Sequence, residues 1–244
     1  MMKRISRLLI IAVSIVSLSG CVWWGEGGFG LRETPEGLYQ QGYENYQDGD
    51  YSDAIEFFQR LREEYPLSRY ASMAEIGIAD SYYSKKEYAS AEMEYSNFID
   101  FHPTDENVPY AMYQFGMCHY KSLLDVDRDQ AQTHRAKEAF ERLIAIFPNS
   151  KFSFMAEKRL REVKQRLAEH EFYVGHFYYR NEEYRAALKR FEKISDEYAG
   201  LGLDYKVGYF LHQTRRQLEM QGESGPEERV TQRESSFIRE EDVW

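Results

Sequence analysis

The sequence has little that could carry chemistry. Two cysteines stand in 244 residues, Cys21 and Cys118, too few for a disulfide framework. Basic residues are outnumbered, 31 Lys and Arg against 41 Asp and Glu, which argues against nucleic acid, since phosphate binding needs a basic surface. The histidines form no site: His170 and His176 lie six apart on one stretch, where a zinc motif uses an i, i+4 pair. A glycine-rich phosphate loop, a Gly-x-Ser-x-Gly elbow and a cysteine–histidine pairing are all missing. Asp125-Val-Asp-Arg-Asp129 starts like a calcium loop, but Gln130 stands where the turn glycine belongs and Ala136 where the bidentate glutamate belongs. Carboxylate pairs such as Glu63-Glu64 and Glu182-Glu183 read as solvated helix faces. No catalytic residue, metal ligand or cofactor is expected.

The apolar stretches are short too. Leu8 to Leu18, the longest, follows Lys3, Arg4 and Arg7 and precedes Ser19-Gly20-Cys21. It is too short to span a bilayer, and basic, apolar and small-residue segments in that order read as a signal peptide over residues 1–20. Leu18-Ser19-Gly20-Cys21 resembles the bacterial lipobox, which implies a lipid on Cys21. Val22 after the cysteine, rather than aspartate, implies the outer membrane. Removing residues 1–20 leaves 28 basic against 41 acidic residues, a net charge of −13. Residues 21–33 are glycine-rich and read as a lipidated flexible tether, with Trp23 and Trp24 suited to a membrane–water interface.

What the chain does contain is a repeat. Gly49 to Pro66 reads as a turn and an amphipathic helix closed by proline, with Ala54, Phe58 and Leu61 on its inner face. A helix of this length cannot bury its stripe alone. Tyr51-Ala54-Phe58-Leu61-Pro66 returns 37 residues later as Tyr88-Ala91-Tyr95-Phe98-Pro103, the mark of stacked helix pairs. Gly42, Ala79 and Gly116 keep the same spacing in the preceding helices. Leu38, Gly42 and Tyr46, then Ala54 and Phe58, then Pro66 resemble a tetratricopeptide unit. Ser72 to Pro103 forms the second. The third starts at Tyr110, with Ala136, Phe140, Leu143 and Pro148 delayed by an insertion over Asp125 to Gln132. After Ser150, an apolar period from Phe152 to Tyr179 predicts one helix of roughly thirty residues, whose far end opens a fourth unit with Tyr184, Ala187, Phe191 and Ile194. A last helix is expected from Asp204 to Met220.

The fold class expected is thus all-α, a tetratricopeptide-repeat solenoid of about four to five helix pairs. Residues 34–148 hold three repeats, 149–221 the long helix and C-terminal repeats, and 222–244 a polar tail. If Leu38 and Gly42 pack inward, Tyr39, Tyr43 and Tyr46 form the neighbouring face. Its equivalents are Ile76, Asp80 and Tyr83, then Tyr113, Met117 and Tyr120, with Tyr110 one turn earlier. Such a face suits an extended peptide with aromatic side chains. The alternative is that these tyrosines fill gaps between repeats.

The middle of the chain is more specific. His102-Pro103-Thr104, Asn107, Tyr110, Tyr113 and Gly116, Asp127-Arg128-Asp129-Gln130, Phe147-Pro148-Asn149-Ser150, Arg166-Leu167-Ala168, Glu171-Phe172 and Tyr178-Tyr179-Arg180 are similar to the BamD (ComL) family of outer-membrane assembly lipoproteins. The resemblance implies a non-enzymatic subunit of the outer-membrane β-barrel assembly (BAM) complex, lipid-anchored on the periplasmic side and working without cofactor. It implies that the N-terminal repeats receive the aromatic-ended signal of unfolded outer-membrane precursors. The C-terminal units would hold the periplasmic repeats of BamA, which makes Phe172, Arg180 and Arg185 the expected docking residues. Other BAM lipoproteins are further possible partners. The competing class is a periplasmic repeat lipoprotein of cell-envelope division, Tol–Pal-associated, or a protease adaptor.

Overall fold

The computed structural model describes residues 34–223. The signal peptide, Cys21, the tether and nearly all of the polar tail expected at 222–244 lie outside them. Among the described residues the chain is all-α: α1 (Pro35–Asp48), α2 (Tyr51–Glu64), α3 (Ala71–Ser84), α4 (Tyr88–Phe101), α5 (Val108–Lys121), α6 (Ala131–Ile146), α7 (Lys151–Arg180), α8 (Tyr184–Glu197) and α9 (Asp204–Glu223). These are tetratricopeptide helix pairs, divided into two compact units, one with α1–α4 and one with α5–α9.

Local chemistry sets the ends. Thr34 caps α1 by accepting from the Gly37 amide at 3.0 Å, with Pro35 opening the helix. The α1–α2 turn passes through Gly49 in the left-handed region, φ 88°, and Asp50 N–H bonds back to Asn45 O at 2.9 Å, a Schellman closure. The same turn recurs at Lys86 and Glu182, with φ of 65° and 60°. There, Glu87 N–H reaches Tyr82 O and Glu183 N–H reaches Tyr178 O. Ser150 caps α7, accepting from Phe152 N at 3.2 Å, and the helix runs 30 residues as its apolar period predicts. α9 starts at Asp204 as expected and continues past Met220 to Glu223.

In the first unit the core is Leu38, Ala54, Phe58, Leu61, Ala74 and Ile78. Phe58 is the keystone, lying between Gly42 of its own pair and Gly77 of the next helix. In the second unit Phe140 covers Gly116 and Phe191 covers Gly175 in the same way. Leu167, Phe172, Ala187, Phe191, Ile194 and Val207 form the core around α8. The α3–α4 pair departs from this pattern: fully buried Tyr95 replaces the phenylalanine, and its hydroxyl donates to Asp80.

Candidate functional site

A register rule places the predicted tyrosines. The residue three before the small position of each first helix, Tyr39, Tyr113 or Phe172, packs on the phenylalanine of the second helix. Ring centroids are 5.7 Å apart for Tyr39–Phe58, 6.0 Å for Tyr113–Phe140 and 5.5 Å for Phe172–Phe191. Tyr113 and Phe172 are thereby core residues, 7% and 8% exposed. Ile76, in the same register of α3, is half-buried.

In the first unit, aromatic rings line up in a row. Tyr39 stacks on Tyr43 at 6.3 Å and on Tyr70 at 5.5 Å, and the Arg69 guanidinium lies 4.7 Å over the Tyr70 ring. Arg69 also donates to the Tyr70 hydroxyl at 2.6 Å. Burial, with Tyr43 and Asp80 nearby, pushes the Tyr39 phenol up from its ordinary value. It therefore stays a neutral hydrogen-bonding group. Tyr43 is 43% exposed at the end of the row, with Gln47 donating to its hydroxyl at 2.6 Å. Tyr46 packs on Tyr51 and shares a hydrogen bond with Ser84 at 3.2 Å. Tyr83 packs edge-on against Tyr88 at 5.4 Å. Tyr39, Tyr43 and Tyr70 thus come together, whereas Tyr46 and Tyr83 bridge to the second helices of their pairs.

In the second unit, Tyr110 and Tyr113 both pack on Phe152, and Gln114 donates to the Tyr110 hydroxyl at 3.0 Å. Two turns further, Tyr120 donates to Glu162 at 2.7 Å, and Arg159 donates to the same oxygen at 2.8 Å while lying over the Tyr120 ring. The hydrogen bond to Glu162, then that to Tyr113, holds the Arg159 proton more firmly than usual. Burial works to raise the Glu162 carboxyl, but hydrogen bonds from Tyr120 and Arg159 outweigh it and hold the group below its ordinary value.

Arg180 and Arg185 are exposed where α7 meets α8; Phe172, eight residues before Arg180, is buried apart from them, packed on Phe191 and Phe210 with Lys206 Nζ 4.2 Å over its ring. Beside it, buried Glu171 accepts from Arg190 at 2.9 Å and Lys193 at 2.7 Å, tying α7 to α8.

The insertion is a built loop. Gln130 is 5% exposed and donates to Asp125 O at 2.8 Å and Arg128 O at 2.9 Å, and it accepts from Thr133. From α7, Arg166 donates to Leu124 O at 3.0 Å, and His170 Nδ1 lies 2.6 Å from Val126 O. These residues repeat with no period, so only the resemblance at Asp127–Gln130 and Arg166 pointed to them. Among the described residues, no cluster of histidine, cysteine or carboxylate side chains could hold a metal ion, and no helix is long and apolar enough to cross a membrane.

The architecture is a tetratricopeptide scaffold with an aromatic face, a long seventh helix and a clasped insertion. Comparison with known proteins narrows it. Residues 32–224 match the YfiO family, described as outer membrane lipoprotein. An outer membrane protein assembly factor BamD from Rickettsia prowazekii is 30% identical over 161 residues, covering 66% of this chain and 64% of its own. Its counterpart from Caulobacter vibrioides is 26% identical, with 66% and 53% covered. The Pasteurella multocida counterpart is 25% identical over 217 residues, with 84% and 82% covered. The chain therefore spans between about half and two thirds of the first two relatives and most of the third. With the family matched across every described residue, this chain belongs to the YfiO/BamD family of outer membrane lipoproteins.

Proposed function

We propose that this protein is a non-enzymatic subunit of the outer-membrane β-barrel assembly machinery, binding BamA and unfolded outer-membrane precursors. A lipid on Cys21 anchors it to the outer membrane on the periplasmic side. The first unit receives an extended, aromatic-bearing precursor segment on the Tyr43–Tyr39–Tyr70 row. The α7–α8 pair meets the periplasmic repeats of BamA through the exposed Arg180 and Arg185, while Phe172 holds α7 to α8 in the core. No nucleotide, metal or nucleic acid takes part.

The observation that carries the reading is the partly exposed tyrosine row ending on Arg69. Rigid aromatic rings give contact area at small entropic cost, and a cation at the end adds electrostatic grip on a chain terminus or an acidic group. Family membership supports the assembly role, since the relatives carry the name of outer membrane protein assembly factors.

Affinity purification of the full chain from detergent-solubilised membranes tests it. BamA is expected in the eluate. Recovery of Tol–Pal or protease components in its place overturns the reading in favour of an envelope-division or adaptor role. Cys21→Ala is expected to move the protein from the membrane to the soluble fraction, and unchanged fractionation overturns the anchor.

A further inference from the structure

The ring-and-cation row of the first unit returns in the second. Tyr39 packs on Tyr70, 31 residues further along the chain, and Arg69 lies over that ring. Tyr113 packs on Phe152 at 6.1 Å, 39 residues further along, and Lys151 Nζ lies 4.8 Å over that ring. The eight residues Asp125 to Gln132 of the insertion make the difference, so both arrangements share one register. The other two pairs break it. Asn107 stands 31 residues after Ile76 and follows Glu106, and Leu203 stands 31 after Phe172 and follows Gly202. Neither place holds a ring or a cation, so the repeat period alone does not produce the row.

We propose that the Tyr110–Phe152–Lys151 cluster is a second peptide site, taking the free C-terminal carboxylate of an extended chain together with an aromatic side chain. It rests on the peptide-binding reading of the first row. Lys151 supplies the charge: it is exposed, and an ammonium in that position pairs with a carboxylate. It stands in the first turn of α7, where a cation opposes the helix dipole, so helix stability does not account for it. The rings supply the contact. Tyr110 packs edge-on against Phe152 at 5.4 Å, and Gln114 holds its hydroxyl at 3.0 Å. Both rings are half-buried, which fixes them while leaving part of each open to stacking. Tyr113, 7% exposed, closes the floor.

The second site is the weaker of the two. Tyr43, the exposed end of the first row, has buried Met117 in its place, which removes one ring from contact. Lysine also holds a carboxylate as a point charge, whereas the guanidinium of Arg69 offers a planar fork of donors.

The test titrates the full chain with a synthetic peptide of alternating aromatic residues ending in phenylalanine, once with a free carboxylate and once as the C-terminal amide. Calorimetry is expected to show two free-acid peptides bound per chain, in a tighter and a weaker step. Lys151→Gln, a surface change, should weaken only the weaker step, by about tenfold, the worth of one hydrogen bond to a charged group. The amide should bind that step equally in parent and variant. Tyr43→Ala should weaken only the tighter step. One peptide per chain overturns the proposal and leaves the first site standing, as does a weaker step indifferent to Lys151→Gln. A chain whose binding responds to Lys151→Gln and not to Tyr43→Ala keeps the second site and overturns the first. A chain that binds no peptide overturns both.

Discussion

A Cβ on Gly42 would stand 2.6 Å from Cε1 of Phe58, and the ring has little room to turn aside because its opposite edge lies against Gly77, so close that a Cβ there would also stand 2.6 Å from it. Phe58 is 2% exposed, so any displacement pushes on the rest of the first core. Gly42→Ala is therefore expected to destabilise the protein by about 1–3 kcal/mol, the usual cost of overpacking, although alanine is the better helix former. Urea unfolding midpoints check it. Gly77→Ala should cost a similar amount, and the double variant less than the sum, because both act on one ring.

The repeat was legible because packing imposes it. Small residues at Gly42 and Gly116 and rings at Phe58 and Phe140 recur, since each pair solves the same steric problem. The length of α7 was legible because its apolar period is unbroken. The candidate site was harder. Tyr39, Tyr43 and Tyr46 share a stripe on a helical wheel, but the wheel does not show that the Tyr39 register touches the second-helix ring. Tyr113 and Phe172 accordingly stand in the core although their spacing resembles that of a free face. Glu171 acts through two ion pairs to α8, Gln130 through hydrogen bonds around its own loop, and the Arg69–Tyr70 pair through a ring contact to Tyr39, and such contacts leave no periodic trace.

The tyrosine row separates binding from stability. Tyr43 is the exposed end of the row and Tyr39 its packed middle. Tyr43→Ala is expected to weaken binding of a peptide ending in an aromatic residue by about tenfold, near the lower hot-spot range, with the melting temperature almost unchanged. Tyr39→Ala should also lower stability, by about 1–3 kcal/mol, because it uncovers Phe58 and Tyr70. Fluorescence anisotropy of a labelled peptide alongside thermal melts distinguishes the two. Equal stability losses in both variants would show that Tyr43 packs as Tyr39 does.

Glu171 should make the α7–α8 pair acid-sensitive. Burial alone would raise its carboxyl, but hydrogen bonds from Lys193 and Arg190 outweigh burial and hold it below the ordinary glutamate value. The folded carboxylate is thus harder to protonate than the unfolded one, whose pKa is about 4.3. Its stabilisation is present in full above that value and is lost as pH falls through the lower folded pKa. Glu171→Ala is expected to cost about 2 kcal/mol at neutral pH. The gap between variant and parent should narrow in the acid limb. A gap independent of pH, measured by urea unfolding across pH 3 to 7, would assign the cost to packing.

The insertion loop should be as ordered as its clasp. Arg166 and His170 hold the carbonyls of Leu124 and Val126 from outside, and Gln130 holds Asp125 and Arg128 from within. Arg128 itself is exposed, so trypsin can reach its side chain but needs the surrounding backbone to extend before it cuts. Each lost hydrogen bond is worth about 1 kcal/mol, which corresponds to several-fold in local opening. His170→Ala is expected to speed cleavage after Arg128 by about fivefold, and Gln130→Ala, which removes two hydrogen bonds to loop carbonyls at once, by more. Neither change should shift global unfolding by as much as it shifts cleavage, because the loop lies outside the helix-pair cores. Timed proteolysis with mass identification of the cut site checks it. Cleavage at Arg128 as fast in the parent as in the variants would mean that the clasp does not hold the loop in solution.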